Sequence, residues 1–242
     1  MNDDKTEFLV FSTSRNHHNV PNTPLSIGSS KIPQSESARN LGVTLDSSLN
    51  MKSHISSVCN SSYIHLRNIG KLRRYLSKEN SEKLIHAFIS TRLDNNNGLL
   101  YGLPKSEIGR LQRIQNSAAR IITKCKKSEH ITPILKQLHW LPIQQRIKFK
   151  ILTITYKCLH GLAPDYLVNL LTRYIPPRDL RSSSAMHLVI PKTKLCGYGD
   201  RAFAKCAPLL WNDLPVDIKD SDSLTCFKSA LKTHLFKEYF KS

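Results

Sequence analysis

The sequence has no Cys-x-x-Cys pair, no Gly-x-Ser-x-Gly and no Gly-x-x-x-x-Gly-Lys-Ser/Thr. A redox dithiol, a hydrolase-type serine elbow and a phosphate-cradling glycine loop are thereby set aside. No apolar run approaches the roughly 20 residues that a membrane-spanning helix requires. The six cysteines (Cys59, Cys125, Cys158, Cys196, Cys206 and Cys226) stand singly, unlike a secreted disulfide framework, and read as reduced thiols. The N-terminus is acidic where a secretory signal would be basic, so the expected location is intracellular, in nucleus or cytoplasm. His17-His18 have no cysteine near them, and Cys158-x-His160 offers two ligands at most, so no metal site is expected.

Acid is the other scarcity. The 242 residues carry 18 Asp and Glu against 36 Lys and Arg, a net charge of +18. Residues 1–60 balance at five of each sign, residues 61–160 hold 19 basic and 5 acidic, and residues 161–242 hold 12 and 8. The excess therefore belongs to the middle of the chain. A cation excess so placed suits a phosphate-bearing polymer or an anionic membrane surface. Apolar residues make up 40% of the chain, enough for a sizeable core.

The N-terminal stretch reads as β. Phe8-Leu-Val-Phe11 is a short apolar run, Leu25–Ile27 and 29–32 flank Gly28 as a tight hairpin, and Leu41-Gly-Val-Thr-Leu45 alternates at period two. From Met51 the period becomes helical. Ile55, Val58, Cys59, Ser62, Leu66, Ile69 and Leu76 share one face, and Arg67, Lys71, Arg74 and Lys78 gather on another. Ser77 or Asn80 caps a following helix through Leu84, Ile85, Phe88 and Ile89 towards Leu93. Pro104 opens a long helix with an apolar stripe of Leu111, Ile114, Ala118, Ile121 and Cys125. Arg110, Arg113, Arg120, Lys124 and Lys127 form a second stripe on it. A short helix from Thr132-Pro133 precedes one from Pro142 to His160, apolar on two faces and closed by Gly161. Further helices are expected after Pro164, from about Asp200 to Leu210 and after Ser223, with one strand at His187–Ile190. Trp140 and Trp211 sit among prolines and leucines and read as core anchors. The class is α+β by segregation and predominantly α-helical.

Several short segments carry a family resemblance. Asp3-Asp-Lys-Thr-Glu-Phe8 resembles the motif that follows the catalytic turn in reverse transcriptases of non-LTR (LINE, Jockey-like) retrotransposons. Leu41-Gly-Val-Thr-Leu-Asp46 with His54-Ile55 looks like the segment that closes the palm of those enzymes and enters the thumb. His86-Ala-Phe-Ile-Ser-Thr-Arg-Leu-Asp94, Leu99-Leu-Tyr-Gly-Leu-Pro104 and Ile114-Gln-Asn-Ser-Ala-Ala-Arg120 look like their thumb helices. His139-Trp-Leu-Pro142, His160-Gly-Leu-Ala-Pro-Asp-Tyr-Leu167 and Leu210-Trp-Asn-Asp-Leu-Pro215 look like their C-terminal region. The matches are colinear over roughly residues 2–240.

The resemblance implies a palm remnant and primer-grip-like β segment at 1–50, thumb-like basic helices at 51–128 and a C-terminal helical domain at 129–242. It implies that the metal-gripping carboxylates of an RNA-directed DNA polymerase precede these motifs. The chain as it stands is then not an enzyme, it holds no cofactor, and Mg²⁺ belongs to the longer parent. Lys5 takes the place of a lysine that lies near the leaving pyrophosphate in related polymerases; in this chain alone it also reads as a plain strand-edge lysine. Leu41 and Gly42 take the primer-grip-like position, though a turn glycine explains Gly42 equally well. The expected partner is RNA, DNA or an RNA–DNA hybrid, held through its backbone without sequence preference by Arg67, Lys71, Arg74, Lys78, Arg110, Arg113, Arg120, Lys124 and Lys127. No membrane span or small-molecule substrate is expected. Two other readings stand beside this one: a helical interaction module whose basic face meets an acidic protein or membrane surface, and a degenerate element copy without function.

Overall fold

The computed structural model describes residues 6–13, 23–28, 30–176 and 186–240. The fold is predominantly helical, as the residue pattern implied, with two small antiparallel hairpins near the N-terminus. The first hairpin pairs β1 (Leu25–Ile27) with β2 (Ser30–Ile32), with Gly28 at φ +61° in its turn. The second pairs β3 (Ser37–Asn40) with β4 (Val43–Asp46) around Leu41 and Gly42, at φ +46° and +80°. Two left-handed residues in a two-residue turn match the twist of the strands they join.

Two β expectations are corrected. Phe8–Phe11 is not a regular strand: Phe8 makes an isolated bridge to Gln34, and Ser12 donates to the Ser47 carbonyl at 2.9 Å. The expected strand at His187–Ile190 is likewise reduced to one bridge between Leu188 and Arg173. Among the described residues neither run pairs beyond a single bridge. The strand β3 went unread because Ser-Ala-Arg-Asn has neither apolar alternation nor β-branched residues.

The second hairpin hands over to α1 (Lys52–Leu72) through one carboxylate. Asp46 Oδ1 accepts from the Ser48 and Asn50 N–H groups at 3.2 and 2.9 Å and from the Ser48 hydroxyl at 2.8 Å. Its Oδ2 accepts from the Met51 N–H at 2.7 Å. Burial alone would raise its pKa, but the hydrogen bonds outweigh that and hold it below the usual carboxylate value. His54, also buried, accepts the Thr44 N–H on Nδ1 at 3.4 Å, and burial lowers its pKa.

The helix α2 (Lys78–Ile85) is capped by Ser77, whose hydroxyl accepts from the Asn80 N–H at 3.1 Å. It runs on through a π-turn (His86–Ser90) into α3 (Thr91–Asp94). After a 3-10 turn (Asn97–Leu100) comes α4 (Lys105–Thr123), which follows Pro104. Ser56 meets Arg110, and Gly70 lies against Ile121, so α1 and α4 run parallel. His65 of α1 stacks on Phe88 at 5.0 Å, and the ring of α3 residues reaches back towards His54, so the α2–α3 segment runs antiparallel to α1.

The remainder is α5 (Ile131–Gln137), α6 (Ile143–Leu159), α7 (Asp165–Val168), α8 (Cys196–Gly199), α9 (Phe203–Asn212), α10 (Val216–Lys219) and α11 (Leu224–Phe240). As expected, Gly161 follows α6 in the left-handed region and the Ser223 hydroxyl accepts from the Cys226 N–H at 3.2 Å. Trp140 and Trp211 are both buried, and the Trp211 indole donates to the Met186 carbonyl at 2.9 Å. One continuous apolar cluster runs from Val43 through α1, α4 and α6 to Leu235, crossing the 128/129 boundary without a break. Two polar ties reinforce that crossing. Gln115 donates to the Leu141 carbonyl and the Ile143 N–H donates to Gln112, each at 2.9 Å.

The first hairpin stands outside this cluster: all three residues of β1 are exposed, and of β2 only Ile32 is buried. A two-stranded ribbon with one anchoring side chain is marginal in water. Hydrogen exchange should therefore find residues 25–32 opening far more readily than residues 104–160; equal protection would refute that account of the core.

The hairpin–helix joint should also respond to pH. The lowered His54 pKa means that the unfolded chain binds the proton first. Its contribution is complete above the unfolded value of 6.5 and is lost as pH falls below it. That of Asp46 is complete above 3.8 and lost only as pH falls further. The urea midpoint should drop between pH 7.5 and 5.5, and His54→Asn, which keeps an acceptor near Nδ1 but cannot titrate, should flatten that drop.

Candidate nucleic-acid interface

The basic residues do not form two stripes along two helices. The first helix stops at Leu72, so Arg67 and Lys71 are exposed on α1, Arg74 lies in the turn beyond it, and Lys78 opens α2. The Arg74 guanidinium sits over the Tyr75 ring at 4.7 Å. The periodicity ran on to Leu76 because no glycine or proline marks the stop; the chain turns there so that Ser77 can cap α2.

On α4 the expected stripe also divides. Arg110 faces α1: its Nη1 pairs with Glu107 at 2.9 Å and its Nη2 donates to the Ser56 hydroxyl at 2.8 Å. It is a structural tie between helices. Arg113 is exposed, while Arg120 donates to the Glu129 carbonyl at 3.1 Å, with its Nε buried and unpartnered. Lys124 ends the helix at φ +57°, and Lys127 lies in the turn beyond; both are exposed. Lys5 lies outside the described residues.

The helix directions bring these fragments together. Because α1 and α4 are parallel and α2 returns antiparallel, the end of α1, the start of α2 and the end of α4 share one end of the three-helix unit. Arg67, Lys71, Arg73, Arg74, Lys78, Arg120, Lys124, Lys126 and Lys127 gather there, against Glu79, Glu82 and Glu129. Glu79 is paired with Lys83 at 2.7 Å, and Glu129 accepts the Lys126 N–H at the same distance. Two of the three acids are thus engaged within the protein, and with nine cations against three acids the positive charge dominates what solvent meets.

Leu41 and Gly42 lie at the opposite end. Leu41 is 86% exposed at the hairpin tip, and its carbonyl accepts from the Asn96 side chain at 3.4 Å. Gly42 is favoured by its φ, where a side chain is strained, and an added Cβ would crowd the Asn95 side-chain amide at 3.2 Å. An exposed leucine held in the left-handed region costs free energy and contributes little to the core.

A feature the sequence reading missed connects the two ends. Ser53, Ser57, Asn60, Ile64, Arg67 and Lys71 are all exposed and fall at steps of four and three along α1. They make one unbroken stripe, roughly 27 Å long at 1.5 Å per residue. Hydroxyls and an amide occupy the half near the hairpin, and cations the half at the basic end. The signal was present as the spacing of polar residues opposite the apolar face, but serines on a helix are also its ordinary solvent face.

Among the described residues there is no group of three or more His, Cys, Asp or Glu that could hold a metal, and no helix long and apolar enough to cross a membrane. Comparison with protein-family models, curated proteins and solved structures finds no match to the chain.

Proposed function

We propose that the chain is the end of the palm, the thumb and the C-terminal helical region of a non-LTR retrotransposon reverse transcriptase, and that it grips a template–primer duplex by its backbone. The observation that carries this reading is the α1 stripe, running from Ser53, in the first turn of the helix that follows the second hairpin, to Lys71 in the basic cluster with Lys124 and Lys127. The colinear motifs quoted above support it independently, and a hairpin followed at once by a bundle of basic helices is the order they imply. Serine and asparagine donors and lysine or arginine cations are the groups that position a nucleic-acid backbone without reading bases. A polymerase that must move over any sequence needs that kind of hold. On this reading the carboxylates that grip Mg²⁺ belong to the segment before the Lys5 motif.

A second reading rests on Tyr63, Ile64, Leu72 and Tyr75, all exposed beside the cations. Apolar and aromatic side chains among lysines and arginines also suit an anionic membrane surface.

Binding to RNA–DNA and DNA duplexes of scrambled sequence decides between them. If about six cations meet phosphates, log K should fall against log salt with a slope of roughly −4 to −5. Lys71→Gln, Lys124→Gln and Lys127→Gln together should weaken binding to every sequence alike and flatten the slope by about 2–3. Duplexes shorter than roughly 8 base pairs, the length of the stripe at 3.4 Å per step, should bind less tightly. Arg110→Gln should lower stability and leave the slope unchanged. Binding of anionic vesicles in preference to duplex would favour the membrane reading, and loss for one sequence alone would overturn backbone recognition.

A further inference from the structure

A cavity of about 850 Å³ lies beside the start of α4, away from the basic cluster at that helix's other end. Three helices supply its apolar walls: Ile108 and Gly109 of α4, Ile147 of α6, and Cys206 and Leu209 of α9. The size is that of a small-molecule site. Cys206 contributes as an apolar group, since burial pushes its thiol up to about 11 and no thiolate forms near neutral pH.

One wall is bare where a side chain would fit. Gly109 sits in the interior of α4, where glycine is less stable than alanine. A Cβ added to it would meet no atom within 4 Å. Packing between protein atoms therefore does not require glycine, and neither does the backbone, which is helical there. What this glycine does is keep the cavity open along α4. Gly197, which lines the cavity from α8, likewise has no neighbour within 4 Å of an added Cβ.

The charge gathers at one end. A Cβ on Gly102 would approach Arg201 Cγ to 2.6 Å, so Arg201 lies against the turn that leads into α4. Lys105 begins that helix three residues later, and Lys205 follows Arg201 by four; all three line the cavity. Lys205 is paired with Asp200, and Lys148, on the α6 wall, with Glu238 at 3.3 Å. Arg201 instead donates to the carbonyls of Leu49, Leu99 and Tyr101. Among the described residues neither Lys105 nor Arg201 forms an ion pair, so two of the four cations have no carboxylate against them.

We infer that this cavity holds a single-chain amphipathic anion. Its alkyl chain lies along Gly109, Ile147 and Leu209, and its carboxylate or phosphate head meets Lys105 and Arg201. From Lys105 to Gln112, which also lines the cavity, the α4 wall spans roughly 10 Å, room for a chain of medium length. An inorganic anion or a nucleic-acid backbone would leave the apolar walls wet. A neutral chain would leave both cations without a counter-charge. The site is separate from backbone binding at the basic end and does not rest on it.

The test is calorimetric titration of the full chain with decanoate and decyl phosphate, kept below micelle-forming concentrations, and with decanol, acetate and inorganic phosphate as partial ligands. At least one of the two alkyl anions should bind. Decanol should bind about tenfold or more weakly for want of charge-assisted contacts, and the two small anions should not bind measurably. Preference for decanoate names a fatty acid as the source, and preference for decyl phosphate a phosphate-headed lipid. Gly109→Leu should abolish binding with Tm unchanged or higher, because leucine is the better helix former. Leu209→Glu, on a side chain that is 39% exposed, should abolish it from the opposite wall without altering α4. Lys105→Gln should weaken it by about tenfold. The Lys71/Lys124/Lys127 variant should bind as the parent does; loss there, or binding that survives both Gly109→Leu and Leu209→Glu, puts the chain elsewhere and overturns the assignment. Equal affinity for decanol and decanoate overturns the anionic head, and no binding of either alkyl anion overturns the whole inference.

Discussion

Two glutamines on α4 decide where the second half of the protein sits. Pro142 cannot donate at the start of α6, and the next N–H, that of Ile143, would be an unpaired helix-end donor. Gln112 accepts it, and Gln115 donates to the carbonyl of Leu141 just before the helix. The Gln112 amide in turn donates to Gln115 and Asn116, both at 2.8 Å, so the pair is fixed by its own network. Each bond is worth only about 1 kcal/mol net, but an unpaired buried member costs about 1–3. The register of α6 against α4 is thereby specified more sharply than apolar packing alone would do. Leu141 and Trp140, which line a cavity of about 490 Å³, are carried on the same segment.

A guanidinium closes the structure from the C-terminal side. Arg201 Nη1 donates to the Leu49 carbonyl at 2.8 Å and its Nε to that of Tyr101 at 3.2 Å. A Cβ on Gly102 would approach its Cγ to 2.6 Å, so the loop before α4 has glycine where the arginine passes. Three chain segments distant in sequence meet on one side chain. Neither the hairpin-to-α1 joint nor the loop before α4 is thus free to drift relative to the C-terminal helices. The α1 stripe and the cavity are held in one frame by these ties.

What could be read from the sequence was what short-range chemistry determines. Ser77, Ser223, Gly161 and the prolines before α4, α6 and α7 announced their helix boundaries because each acts through its own backbone position. The apolar faces of α1 and α6 announced their burial through period alone. The basic end was not legible, because it depends on α1 and α4 being parallel, a fact carried by Ser56–Arg110 and Gly70–Ile121 across 51 residues or more of chain. Arg110 was misplaced for the same reason, since nothing local distinguishes a solvent-facing arginine from one that bridges two helices. The cavity beside Trp140 was invisible too: it forms only where Asp94, Asn97, Trp140 and Arg146, separated in sequence, line one space.

The placement of the cations admits a purely structural explanation that has to be weighed. Lys71 and Arg120 lie in the last turns of α1 and α4, where the helix dipole favours positive charge by about 0.3–1 kcal/mol each. Arg73 and Lys124, the C-cap residues of the same helices, share that benefit. It does not account for Arg74, Lys126 and Lys127, which lie past the helix ends, or for Lys78 at the start of α2, where the dipole disfavours a cation. Like charges drawn to one end of a bundle repel one another, so folding by itself gains nothing from adding them. The neighbouring acids do not relieve this, since Glu79 and Glu129 are engaged with Lys83 and the Lys126 backbone. A polyanion that displaces the counterions would.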